Sequence, residues 1–283
     1  MLIIKSTLTT KPINFVKEIK AMNNYKIGII GAGNVAHQLV SVFDSLGFEI
    51  SWIWNRDNEK ATILAETIGT LAIPNLLVQD VDNTIVFVAI SDDAILPIIK
   101  TRSWKGAYII HTSGSFNSEL LAPYCEFFGA FYPFQTLRKE IEADWEKIPI
   151  FLEANDPEML ATLVGIAEIC SDTISYKTSE ERKKLHLAGV ITNNFVYYLM
   201  RSVRTYCEKE GLQFEEVFPL FEQTAMLTFN NEDDLQTGPA KRGDVLTIQK
   251  HLDLLDNTPE LKSVYTQLSQ TIYQNYHGKK LEL

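Results

Sequence analysis

Ile27-Gly28-Ile29-Ile30-Gly31-Ala32-Gly33-Asn34-Val35-Ala36 runs from a β-branched stretch through a glycine turn into an apolar helical pattern. A dinucleotide fingerprint of the form G-x-G-x-x-A needs that order of strand, turn and helix. Gly31 permits the tight turn. Gly33 has no side chain to hold a pyrophosphate away from the backbone, and Ala36 lets the helix lie close to the strand. The helix start adds free N–H groups and a partial positive charge. Gly31, Ala32, Gly33, Asn34 and Val35 are therefore the expected pyrophosphate contacts.

Outward from this turn, strands and helices alternate. Helices are predicted at about 35–46, 58–68, 92–100 and 157–169. Strands are predicted at 49–54, near Leu71, and at 84–90, 107–111, 128–132, 148–152 and 173–176. The run T-I-V-F-V-A-I at 84–90 is continuously apolar after Thr84, as suits a strand covered on both faces. The pattern predicts an α/β fold, with a doubly wound, mostly parallel Rossmann sheet over 23–177.

The character changes at Thr178. T-S-E-E sets a capping box between Thr178 and Glu181. A helical pattern then runs to about Glu210, and more helices are predicted at 214–229, 242–255 and 259–276. Thr258-Pro259 reads as an N-cap and first helical residue. No strand pattern follows residue 178, so 178–283 is expected to be an all-helical domain. Residues 1–22 read as an appendage before a natural start at Met22, and their short apolar run makes no signal peptide.

Two domains fit the 283 residues. A formal charge of −10 argues against a general binder of nucleic acid or membrane surfaces. No apolar run approaches the ~20 residues that span a bilayer. Cys125, Cys170 and Cys207 are scattered, which suits buried thiols in a reducing cytoplasm better than a disulfide framework. The five histidines lack H-x-x-x-H and H-E-x-x-H spacing, so no metal is expected.

The second strand ends at Asn55-Arg56. NAD sites usually place a carboxylate there for the ribose 2′-hydroxyl, and a carboxylate would repel a 2′-phosphate. A neutral residue followed by a guanidinium able to fork onto phosphate favours NADP over NAD. The other reading leaves Arg56 in solvent and gives the ribose to Asp57.

G-A-G-N-V-A, the N-R at 55–56, H-T-S-G-S at 111–115, Y-P-F-Q-T at 132–136 and T-G-P-A-K-R-G-D at 237–244 occur together here. The last is followed by Thr247 and His251 and is the most specific of them. Over nearly all of 22–275 the chain resembles the bacterial Rossmann-like NADP oxidoreductases with a C-terminal helical domain of unknown function. That architecture is similar to pyrroline-5-carboxylate reductase, ketopantoate reductase and the 6-phosphogluconate dehydrogenase group. The resemblance implies NADP as cofactor and a helical domain that forms a homodimer and closes the cofactor cleft. It implies hydride transfer to or from a small carbonyl, imine or hydroxy acid, and it names no substrate. Many members carry His where this chain has Tyr132. Because the ordinary pKa of tyrosine is much higher, no catalytic proton is assigned to Tyr132.

The nicotinamide is expected beyond the carboxyl ends of the central strands. Two loops leave those ends, one with Ala89 and Ser91 and the other with His111, Thr112 and Ser113. Ala89, Ser91, Thr112 and Ser113 are expected to contact the cofactor, while Ser91 and Ser115 can equally cap the helices that follow. His186 and Asn193 lie seven apart on the long helix and share a face, with Asn194 close by. His186, Asn193 and His111 are the candidate catalytic side chains, and Asn194 a substrate contact. The structural alternatives are a packed His186 and a buried His111 bonded to backbone. Arg242 can bind a substrate carboxylate or a phosphate, with Asp244 fixing the guanidinium. Asp244, Thr247 and His251 fall on one helical stripe. The alternative is a helix cap with an Arg–Asp pair that locks the domain. Two functions follow: an NADP-dependent oxidoreductase with its site between the domains, or a non-catalytic NADP-binding sensor or partner-binding protein.

Overall fold

The computed structural model describes residues 25–230 and 234–282, and the expected appendage over 1–22 lies outside the described residues. The chain divides into two compact units between Val190 and Ile191.

The first unit is built on one sheet. Its strands are β1 (Lys26–Ile30), β2 (Ile50–Trp54), β3 (Leu71–Ala72), β4 (Thr84–Val88), β5 (Ala107–His111), β6 (Phe127–Pro133), β7 (Ile150–Ala154) and β8 (Ile174–Tyr176). Their spatial order is β3-β2-β1-β4-β5-β6-β7-β8. Every neighbouring pair is parallel except β6 with β7. Through β6 this is the doubly wound Rossmann order, so the expected fold class holds. The helices of the unit are α1 (Asn34–Ser45), α2 (Asn58–Glu66), α3 (Asp92–Ile99), α4 (Pro157–Cys170) and α5 (Ser179–Gly189).

Two apolar cores explain the continuous run at 84–90. Ile85 and Phe87 of β4 belong to one core, and Val86 and Val88 to the other. Successive strand side chains point to opposite faces, so a sheet covered on both sides needs apolar residues at every position. In the first core, the ring of Phe43 from α1 lies 5.0 Å from Phe87 and 6.3 Å from Phe131. In the second, Ile95 and Ile99 of α3 pack with Trp52, Val88 and Trp104.

The capping box of Thr178 and Glu181 is present at the start of α5. That helix belongs to the first unit, so the division falls at 190 and not at the expected 178. The physical reason is Arg182, whose guanidinium is wholly buried among residues of β5, β7 and the loop after β5. The long helix expected to about Glu210 is also not uniform. A π-helical segment, Val190–Phe195, separates α5 from α6 (Val196–Lys209).

The second unit continues with α7 (Phe218–Asn230), α8 (Pro239–Arg242), α9 (Val245–Leu254) and α10 (Pro259–His277). Its described residues contain no strand. Ala240, Ile248, Leu252, Tyr273 and Leu281 form its small core. The helix expected to begin near Arg242 starts later. Arg242 closes the single turn of α8, Gly243 takes a left-handed conformation (φ +71°), and Asp244 caps α9. None of the described helices is long and apolar enough to cross a membrane.

Candidate active site

A cleft of about 810 Å³ opens beyond the carboxyl ends of β1, β2, β4, β5 and β6, entirely within the first unit. Crossing from β2 to β6 takes four inter-strand steps, ~19 Å at the usual spacing, which suits an extended dinucleotide.

At its centre is the turn after β1, from which Ala32, Gly33, Asn34 and Val35 line the cleft. Gly31 has φ +125°, a backbone conformation that L side chains rarely adopt, and a Cβ there would run into the Ala89 carbonyl. Gly33 differs: a Cβ would meet nothing within 4 Å, so that side of the turn is open. Gly33 is also the N-cap of α1, with no side-chain cap bond. The residues therefore fit a pyrophosphate laid on the helix start.

One end of the cleft carries Asn55, Arg56, Asp57 and Lys60. Asp57 caps α2, accepting from the Lys60 N–H at 3.5 Å, and its carboxylate lies 3.5 Å from the Lys60 ammonium. The site thus has a second cation, Lys60, one helical turn beyond Arg56. Sequence reasoning passed over it, although the spacing of four was readable.

The other end is made by the loops after β4 and β5, by Tyr132 of β6, and by His186 of α5. Ala89, Ser91, Thr112 and Ser113 all line it. Ser91 is the N-cap residue of α3 but makes no side-chain cap bond. Ser115 does not cap a helix: its hydroxyl donates to the Asp92 carboxylate, joining the two loops. Ser113 Oγ accepts from the N–H groups of Ser115 (3.1 Å) and Phe116 (2.9 Å), which closes the turn.

Tyr132 and His186 meet at this end, with the hydroxyl 3.0 Å from Nδ1. They close over Gly114, where a Cβ would stand 2.6 Å from the tyrosine ring and 2.7 Å from Nδ1. Burial is the first cause that pushes the Tyr132 hydroxyl up to about 12; Asp92 adds to the shift and Arg182 opposes it. The phenol is therefore protonated at neutral pH. The high ordinary pKa of tyrosine argued against a catalytic proton on Tyr132; its pairing with His186, 54 residues away, is not visible in local sequence.

His111 is a correction to the expected catalytic set. It is wholly buried and is not among the residues lining the cleft. Nδ1 accepts from the Ser113 N–H at 3.1 Å, which places the proton on Nε2, 2.9 Å from Ser118 Oγ. Burial first, then the Arg182 charge, holds its pKa well below the ordinary value. It supports the loop from beneath as a neutral ring.

The remaining candidates fall in the second unit. Asn193 lines a groove of about 790 Å³ there, with Tyr197, Met200, Arg201 and Phe214. Between His186 and Asn193, expected to share a face, runs the π-helical segment, which takes an extra residue per turn. Asn194 is exposed. Arg242 is exposed too, and Asp244 is engaged with Thr247, accepting from its N–H (3.1 Å) and hydroxyl (2.8 Å). His251 bonds Tyr265 at 2.8 Å. The stripe of Asp244, Thr247 and His251 is thus occupied by a helix cap and internal packing. Among the described residues, no group of His, Cys, Asp and Glu is placed to hold a metal.

Sheet order, open glycine turn and cleft together define a Rossmann dinucleotide-binding unit. Residues 26–114 match the family described as NADP oxidoreductase, coenzyme F420-dependent, and residues 148–272 match a domain of unknown function, DUF2520. A candidate NADP oxidoreductase from Bacteroides fragilis is 32% identical, over 89% of this chain and 99% of its own, with a TM-score of 0.80. The chain belongs to that family of NADP oxidoreductases. Two further structures share the fold alone. A reductive aminase from Aspergillus terreus, solved with NADPH and ethyl-5-oxohexanoate, is 13% identical over 91% of this chain and 96% of its own (TM-score 0.66). A 1-pyrroline-5-carboxylate reductase from Streptococcus pyogenes is 15% identical over 88% and 98% (TM-score 0.57). Among curated proteins, none matches the chain.

Proposed function

We propose that this protein is an NADPH-dependent reductase of a small carbonyl or imine, working in the cleft of the first unit. The observation that carries this reading is the Tyr132–His186 pair, standing at the opposite end of the cleft from Arg56 and Lys60. Arg56 and Lys60 hold the 2′-phosphate, and the start of α1 holds the pyrophosphate. Thr112, Ser113, Ala89 and Ser91 contact the nicotinamide and its ribose. Bound NADPH supplies the hydride. Tyr132 gives its hydroxyl proton to the substrate oxygen or nitrogen, and His186 returns a proton from Nδ1 to the phenolate oxygen while Nε2 takes one up from solvent. In the reverse direction the same pair takes the proton from a hydroxyl or amine.

Purified protein is expected to oxidise NADPH with at least one member of a panel of ketones, keto acids and cyclic imines. Tyr132→Phe should lower that rate by about 10²–10⁴-fold and leave cofactor affinity intact. Cofactor binding with no turnover across the panel would return the protein to the sensor reading.

A homodimer through the second unit completes the proposal. Phe195, Tyr197, Leu220 and Phe229 are exposed on its helical segments, Phe229 to 86%. Large apolar side chains left exposed on helices support an association surface. Light scattering of the purified chain tests this, and a monomer at micromolar concentration overturns it.

A further inference from the structure

Arg182 is wholly buried, and arginine is rarely so unless its charge is paired and its donors are used. Nη1 donates to Glu153 Oε2 at 2.6 Å and to the Lys177 carbonyl at 3.4 Å. Nη2 donates to the Phe116 carbonyl at 3.0 Å and to the hydroxyls of Ser118 and Ser179 at 3.3 Å each. Nε donates to the Ser113 carbonyl at 3.2 Å. Glu153 in turn accepts from Ser118 Oγ (2.6 Å), Ser179 Oγ (2.8 Å) and the Ser179 N–H (3.0 Å).

A buried ion pair is weak evidence for stability, since apolar residues of similar volume often do as well. The destinations of these bonds say more. The Ser113 and Phe116 carbonyls are the two ends of the turn that lines the cleft, and Arg182 stands one helical turn before His186 on α5. One guanidinium thus joins that turn to the helix carrying His186. The tolerance is small, because Tyr132 and His186 close directly over Gly114 in the same turn.

We propose that Arg182 is a positioning residue: the Arg182–Glu153 pair fixes the 113–116 turn against α5 and so holds His186 on Tyr132. The proposal rests on the reading of that end of the cleft as the place of reaction.

The ¹⁵N resonances of the His186 ring, recorded in the full-length protein without cofactor, read the bond to Tyr132 directly. Arg182→Lys keeps the charge and loses the planar fork. Glu153→Gln keeps the size and loses the charge, and it serves if Arg182→Lys does not fold. In both, the hydrogen-bond shift of Nδ1 is expected to disappear and the emission of bound NADPH to change. NADPH affinity should fall by less than about threefold, because the phosphate contacts lie elsewhere. A lower thermal midpoint with an unchanged His186 signal would mean a role in stability alone and would overturn the proposal. A parent spectrum lacking the Nδ1 shift would overturn it too. If the parent does not bind NADPH, the functional reading fails, while the His186 signal still decides the role of Arg182.

Discussion

Arg56 and Lys60 stand one helical turn apart at one end of the cleft, and this placement predicts how the cofactor is chosen. Arg56→Ala should raise the Kd for NADPH about tenfold, since one charge-assisted contact contributes about 1.5 kcal/mol, and leave that for NADH nearly unchanged. Fluorescence titration with both nucleotides checks this; equal losses for the two would remove Arg56 from the 2′-phosphate. Gly114 makes a second residue-scale test. Gly114→Ala puts a Cβ against Tyr132 and His186, so turnover should fall while NADPH still binds. Gly31, Gly33 and Arg56 could be singled out in the sequence because the role proposed for each rests on its own backbone or charge. Tyr132 was singled out there but set aside on its ordinary pKa, because no local pattern names its partner His186.

At the scale of elements, hydrophobic periodicity located the strands of the sheet and most of the helices. It failed where two elements share one pattern. A π-helical segment leaves apolar residues at spacings that still look helical, so the break at Val190–Phe195 was invisible. The start of α9 was a different miss, since Gly243 within R-G-D is itself a stop signal. The cap at Asp244 separates its two possible roles. Asp244→Ala should destabilise the protein by about 1 kcal/mol, and Asp244→Asn should be close to neutral, because asparagine caps a helix as well as aspartate does. Chemical unfolding of the three proteins measures this. Equal losses for Ala and Asn would mean that the charge toward Arg242 matters more than the cap.

For the whole molecule, the buried groups beneath the cleft make stability depend on pH. Folding holds His111 neutral, whereas the unfolded chain takes up a proton near 6.5. The unfolded state then binds more protons, so stability is complete above that pH and falls as pH drops below it. The slope is about 1.4 kcal/mol per pH unit until the folded pKa is reached. Burial works against the Glu153 carboxylate, but its bonds from Ser118, Arg182 and Ser179 win and hold it below the ordinary value. It adds a second loss in the same direction once pH falls below 4.5 and on through its folded pKa. Unfolding midpoints at pH 7.5 and 5.5 should therefore differ in the parent and differ less in His111→Asn, which keeps an acceptor and cannot titrate. A parent with no such difference would contradict a neutral, buried His111.

By itself, the sequence determined the sheet, the glycine turn and the guanidinium beyond β2. Strand burial, backbone freedom at glycine and fixed charge are properties of short stretches of chain. Only the tertiary structure decided what stands at the β6 end of the cleft. Tyr132 comes from β6 and His186 from α5, while Arg182 and Glu153 meet from opposite sides of β8 in the chain. Their chemistry lies in distances set by sheet order and helix packing, and periodicity along the chain carries no record of those distances.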